Sequence, residues 1–303
     1  MENTFSKFKK IDAHSHIGHF GSPFNVDFNT QALKEQMTEY NIEKTILCPA
    51  AATLNHELLA AYKELPDQII PLFWVNANLG QPAYDELEHY LRDEHFAGVK
   101  MQPLFDAFTA DSPMVDPIME IAKQYNKPVF IHCGHPPFSL PWQIGLLAER
   151  HPNVQVVMIH MGHGHGVYID GSITMAKKFD NLMLECSGMP MGCQIKNAYE
   201  TVGKSELCSV LTHHSTTRLL RFRELCPAVL PTLSWKMYFI IMRRGLWGYK
   251  TSPRRHSSAP LSTVERGAVV VKTLHICKWI DYLHTIDSLT IIQIFGINNR
   301  TSF

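Results

Sequence analysis

Two imidazoles two positions apart mark where chemistry can begin in this chain, in Ile11-Asp12-Ala13-His14-Ser15-His16-Ile17-Gly18. Alternate residues of an extended strand share a face, about 7 Å apart along it, so His14 and His16 can lean onto one metal ion. Two unrelated histidines would look the same, because a His-x-His pair has little specificity by itself. Other strand ends shift the balance. Phe130-Ile131-His132-Cys133-Gly134 and Met158-Ile159-His160-Met161-Gly162 each finish an apolar run on an imidazole, and Val99-Lys100-Met101-Gln102-Pro103 carries an amine. A lone strand-end histidine usually packs through a hydrogen bond, whereas three such ends brought around one mouth favour the ligand reading. His135 in Gly134-His135-Pro136-Pro137 and His163 in Gly162-His163-Gly164-His165-Gly166 lie on loops. Loops of this kind touch substrate if they rim a pocket, and otherwise face water.

Bringing such ends together takes a closed arrangement of strands. Apolar, β-branched runs at 9–13, 44–49, 69–76, 96–102, 129–133, 154–160 and 181–187 alternate with amphipathic stretches at 30–40, 54–65, 83–92, 115–125, 140–150, 169–178 and 194–202. Seven βα units leave room for one more. Eight parallel strands with helices outside close into a barrel whose chemistry sits at the C-terminal strand ends. A flat doubly wound sheet needs no polar residue at nearly every strand end, and no glycine-rich phosphate fingerprint follows the first strand. The expected fold is therefore α/β, a distorted (β/α)8 TIM-type barrel.

Bulk properties fit a soluble globular protein. The chain has 303 residues and a formal net charge of zero, and its seven cysteines form no Cys-x-x-Cys pair. This excludes a disulfide framework or a structural zinc cluster and points to a reducing cytoplasm. The first ten residues mix lysines and polar side chains, and no run of 18 apolar residues occurs, so neither a leader nor a membrane span is expected.

The quoted motifs, in this order and at these intervals, resemble the amidohydrolase-related metal-dependent hydrolases, in particular the branch of aminocarboxymuconate-semialdehyde decarboxylase. The resemblance covers residues 9–203. It implies that His14, His16 and His132 bind one divalent metal, zinc or else manganese, together with a strand-eight aspartate. His160 would then be the acid/base at the substrate. Three imidazoles and a carboxylate suit a borderline metal, and an open position lets its bound water ionise near neutral pH. Lys100, His135 and His163 are candidate contacts to substrate or to a second metal, but a plain strand-end ion pair is the preferred reading of Lys100 and a solvent-facing loop that of His135 and His163, so one metal is expected. The expected activity is hydrolysis of a small carbonyl substrate by a metal-activated water, with nonoxidative decarboxylation as the alternative. A small-molecule substrate, no nucleic acid and no membrane partner follow, and a homo-oligomer is left open.

The last hundred residues depart from this pattern. Residues 1–203 hold 23 acidic and 14 basic side chains, whereas residues 204–303 hold 5 acidic and 14 basic. The eighth strand should start near Val202-Gly203-Lys204 and end in aspartate, yet no aspartate occurs between Asp180 and Asp281. A two-base shift, with synonymous codons chosen to fit, rereads Lys204 to Arg218 as a strand ending in aspartate. The same shift turns Pro231 to Tyr249 into an amphipathic helix followed by a stop. Residues 1–203 are accordingly read as a seven-unit barrel, and 204–303 as an out-of-frame tail, not a true domain. Strand eight and the terminal helix are then missing or corrupted in the chain as written, which can make it the inactive product of a frame-shifted gene.

Overall fold

Strand and helix alternate along the chain as the two periodicities require. In the computed structural model the elements are β1 (Lys10–Phe20), β2 (Val26–Phe28), α1 (Thr30–Glu39), β3 (Ile42–Pro49), α2 (Asn55–Glu64), β4 (Ile69–Trp74), α3 (Gln81–Arg92), β5 (Gly98–Met101), α4 (Pro103–Asp106), α5 (Asp116–Gln124), β6 (Val129–His132), α6 (Pro141–Arg150), β7 (Val156–Ile159), α7 (Gly166–Lys178), β8 (Leu182–Glu185), α8 (Gly192–Val202) and β9 (Leu207–Cys208). The structure describes residues 10–21, 25–189, 191–202 and 207–208, all within one unit spanning 1–250. The remainder of the reading of 204–303 as out of frame lies outside the described residues.

The sheet order is β2-β1-β3-β4-β5-β6-β7-β8-β9. Every neighbouring pair is parallel except β1 with β2, which is antiparallel through Gly18↔Phe28 and Phe20↔Val26. Eight parallel strands in chain order, each return covered by a helix, curl into a TIM-barrel-like half-barrel. β9 takes the eighth place and pairs with β8 through Leu184↔Leu207 and Glu185↔Cys208. Helices begin where the backbone favours it: Asn29 caps α1 through Ala32 N at 3.0 Å, and proline stands in the first turn of α3, α5 and α6.

Alternation along the strands sorts two apolar layers. Val129 and Ile131 of β6, Val156 and Met158 of β7, and Leu182 and Leu184 of β8 belong to the large core that includes the helices. Phe130, Val157, Ile159 and Met183 belong to a second cluster with Ala13, Ile46, Cys48 and Leu72, which fills the concave side. That inner set carries the site. Two residues beyond Phe130 the same parity yields His132, and two beyond Met183 it yields Glu185.

Candidate metal centre

β1 departs from simple alternation where it matters. Its register on β3 steps from Asp12↔Thr45 to Ser15↔Leu47, so Ala13 and His14 together stand against Ile46 alone. This bulge leaves Ala13 in the inner apolar cluster while His14 and His16 both turn to the site, their rings 4.7 Å apart. β7 solves a similar problem at its end. Ile159 occupies the inner parity, so a regular continuation would turn His160 away. Backbone φ is instead +68° at His160 and +34° at Met161, and the His160 ring lies 5.4 Å from His14 and 4.6 Å from His132.

All seven residues singled out from sequence fall in one contiguous cluster. His16 touches His14, His14 touches His160, and His160 touches His132 and His163, the latter at 5.1 Å. His135 stacks on His132 at 4.8 Å, and Lys100 Nζ lies 3.4 Å from His14 Nε2. Lys100 is fully buried. Burial lowers its pKa to about 8, against the pull of Cys48, Glu185 and Asp106.

Hydrogen bonds set the imidazole tautomers. His16 Nδ1–H donates to Pro49 O at 3.0 Å, and His160 Nδ1–H donates to Ser187 O at 2.7 Å. A carbonyl can only accept, so both rings keep their lone pair on Nε2. Lys100 donates to His14 Nε2, which gives that ring the same tautomer. Burial holds His14, His132 and His160 well below the usual imidazole range; Lys100 is the next cause for His14, His160 for His132 and His163 for His160. These rings are therefore neutral at pH 7, the state in which imidazole binds a metal.

Glu185 and Ser187 complete the centre. Neither residue is among the site residues read from the sequence. The usable signal was parity, since Glu185 stands two residues after inward Met183. Glu185 Oε2 accepts from Ser187 Oγ at 2.6 Å and from His160 N at 3.2 Å, and Oε1 accepts from Ser187 N. Burial outweighs these donors and raises the carboxyl to about 7. Its Oε2 lies 3.7 Å from His14 Nδ1 and 3.8 Å from His160 Nδ1.

The donor set fits a divalent transition metal. Ligand atoms of His14, His16 and Cys48, of His14, His160 and Glu185, and of His132, His135 and His163 each lie within 4.8 Å of one another. Among the described residues, Nδ1 of His132 is buried without a hydrogen-bond partner, a state that costs about 1–3 kcal/mol unless something fills it. Two rings donate Nδ1–H to backbone carbonyls, the outer contact that orients metal-binding histidines.

Fold and site together define a barrel of the amidohydrolase type. The Amidohydrolase family profile (Amidohydro_2) matches residues 11–211, and the chain belongs to that family. Comparison with curated proteins gives no match. Among solved structures, the chain is similar to a variant of 5-carboxyvanillate decarboxylase from Novosphingobium aromaticivorans with bound manganese and 3-methoxy-4-hydroxy-5-nitrobenzoic acid. That likeness has a TM-score of 0.60 and 13% identity, covering 80% of this chain and 97% of that one. It is also similar to 2,6-dihydroxybenzoate decarboxylase complexed with 2,6-dihydroxybenzoate, with a TM-score of 0.60, 13% identity and coverage of 78% and 99%. The 2,6-dihydroxybenzoate decarboxylase from Rhizobium matches with a TM-score of 0.58, 14% identity and coverage of 78% and 98%. At these identities the likeness establishes the shared fold. Among the described residues no helix is long and apolar enough to cross a membrane.

Proposed function

We propose that the chain is a metal-dependent nonoxidative decarboxylase of small aromatic carboxylic acids, the alternative activity raised by the sequence, in preference to hydrolysis. The observation that carries this reading is the match of fold to decarboxylases whose structures hold manganese or hydroxylated aromatic acids. His14, His16 and His132 would hold the ion, with Glu185 as the buried carboxylate beside them. When bound, the ion supplies positive charge that binds the acid and stabilises negative charge developing on its oxygens.

The chain's own groups arrange the rest. Net reaction is ArCOO⁻ + H⁺ → ArH + CO2: a proton joins the ring carbon bearing the carboxylate, and the carbon–carbon bond then breaks and returns its electron pair to the ring. His160 is the group to carry that proton on Nε2, because Ser187 O holds its Nδ1–H at 2.7 Å. Ser187 Oγ, 2.8 Å from the same Nδ1 and 2.6 Å from Glu185 Oε2, couples the imidazole to a carboxyl poised near neutrality. Lys100 supplies a buried cation for the carboxylate before it leaves. Its Nζ lies 3.4 Å from His14 Nε2, within reach of the nitrogen that would hold the ion.

The test is carbon dioxide release by the purified, manganese- or zinc-loaded chain from a panel of hydroxylated benzoic acids, beside hydrolysis of esters, lactones and amides. Chelator-sensitive release that His160→Asn abolishes is the expected result. Metal-dependent hydrolysis without release would return the reading to a hydrolase.

A second reading concerns the chain as written. The reversal of charge after residue 203 and the lack of a strand-eight aspartate support an out-of-frame tail, and with it a product of low activity. Sequencing the gene around Lys204 decides this: a missing adenine is expected, and an intact run removes the idea.

A further inference from the structure

Three imidazoles stand beside the centre, nearer the solvent. His132 ends β6, His135 follows it on the Gly134-His135-Pro136-Pro137 loop, and His163 follows β7. Ring centroids are 4.8 Å apart for His132 and His135, 5.5 Å for His132 and His163, and 4.4 Å for His135 and His163. Their ligand atoms lie within 4.8 Å of one another. Nitrogens on one tetrahedral zinc stand about 3.4 Å apart, so rotations of the half-buried His135 and exposed His163 side chains close the set.

Two independent features point to an occupant. His132 is 8% exposed, and its Nδ1 is buried without a hydrogen-bond partner among the described residues. A buried ring nitrogen left unpaired is costly, and a cation held between this ring and the two imidazoles packed beside it would satisfy it. The backbone is also strained in the way that delivers the third ring. φ is positive through His160 (+68°), Met161 (+34°), Gly162 (+98°), His163 (+52°) and Gly164 (+85°), and three of these five residues carry side chains that disfavour it. The loop is held close to its neighbour: a Cβ on Gly134 would fall 2.6 Å from the Gly162 carbonyl carbon. Backbone contact at that distance needs glycine, and it seats the His135 and His163 loops against each other.

We propose that His132, His135 and His163 hold a second divalent transition-metal ion at the mouth, of the zinc, cobalt or nickel class that imidazole suits. The expectation of one metal thereby becomes two. His132 serves both ions through different ring nitrogens, and filling both sites releases that ring's N–H proton to solvent. This goes beyond the decarboxylase reading and stands or falls without it, since His135 and His163 take no part in the proton transfer.

The experiment uses the full chain stripped with chelator, reloaded with Co²⁺, dialysed and measured by elemental analysis. The chain is expected to hold about one equivalent more than either His135→Ala or His163→Ala, with both variants keeping the far-ultraviolet circular dichroism of the parent. Ions bound elsewhere, including on other histidines, add equally to all three. His163→Cys should restore the lost equivalent and add a thiolate-to-cobalt charge-transfer band, a signature that a packing role for His163 cannot produce. Equal cobalt in the parent and both alanine variants overturns the proposal, as does His163→Cys without that band.

Discussion

Acid should unfold the metal-free protein steeply below pH 6.5, for reasons that can be counted. In the fold His14, His132 and His160 are held well below their usual range by burial, so they stay neutral where the unfolded chain takes up three protons. Each such proton costs about 1.4 kcal/mol of stability per pH unit. The sign follows from linkage: a histidine with a lowered folded pKa contributes stability present above the unfolded value and lost as pH falls below it. Glu185, raised from 4.5 to about 7, and the partly buried Asp106, raised from 3.8 to about 6, act oppositely. Folded, they bind protons that the unfolded chain has released, so they soften the loss across those windows. His135 and His163, also lowered, add partly screened terms in the same direction as the buried three. The balance is about two protons, or roughly 3 kcal/mol lost per pH unit between pH 6.5 and 5, a large share of a domain's usual 5–15 kcal/mol. Urea midpoints followed by circular dichroism in chelator at pH 7.5, 6.5 and 5.5 give the slope. A flat or rising midpoint from 6.5 to 5.5 would refute the burial of three neutral imidazoles.

Other consequences are quickly checked. A divalent ion binds the folded site and leaves the unfolded chain, so zinc at about a hundred times its dissociation constant should stabilise by roughly 2.7 kcal/mol, read as a shift in urea midpoint. Ser187→Ala removes the hydroxyl between His160 and Glu185 but keeps the carbonyl that fixes the tautomer; turnover should fall about tenfold and its pH profile should move, while a purely structural serine would leave the profile in place. Phe130→Ala opens the inner layer under the site and should cost about 3–5 kcal/mol in urea unfolding. Restoring the frame at Lys204 should raise metal affinity at least tenfold if an aspartate then closes the ligand set, measured by competition with a chromophoric chelator.

How far the site was legible depended on parity. Along β6 and β8 the inner positions run Phe130, His132 and Met183, Glu185, so a polar residue one step beyond the inner apolar residue announces a strand end at the mouth. His132 was legible as the end of an apolar run, and parity, which agrees with it, would also have reached Glu185. Parity fails at β1 and β7, where the bulge beside Ala13 and the left-handed backbone at His160 re-aim side chains; no local pattern encodes either. Spacing nevertheless pointed to those histidines, because they end apolar runs. The hairpin strand Val26–Phe28 passed unseen, since three residues are too few for alternation to register. Contacts between His135 and His163 come from two loops meeting through Gly134 and Gly162, a tertiary event. The choice between hydrolysis and decarboxylation was illegible for a different reason: one donor set serves both, and the difference lies in which bond the bound molecule offers.

The central claim is that imidazoles from distant strand ends serve one ion. X-ray absorption at the zinc edge tests it most directly, on the His163→Ala protein loaded with a single equivalent so that the mouth site is removed. Scattering from imidazole nitrogens at about 2.0 Å is predicted, with one ring lost in each of His14→Ala, His16→Ala and His132→Ala. A first shell of oxygen alone, or one unchanged by all three substitutions, would contradict it.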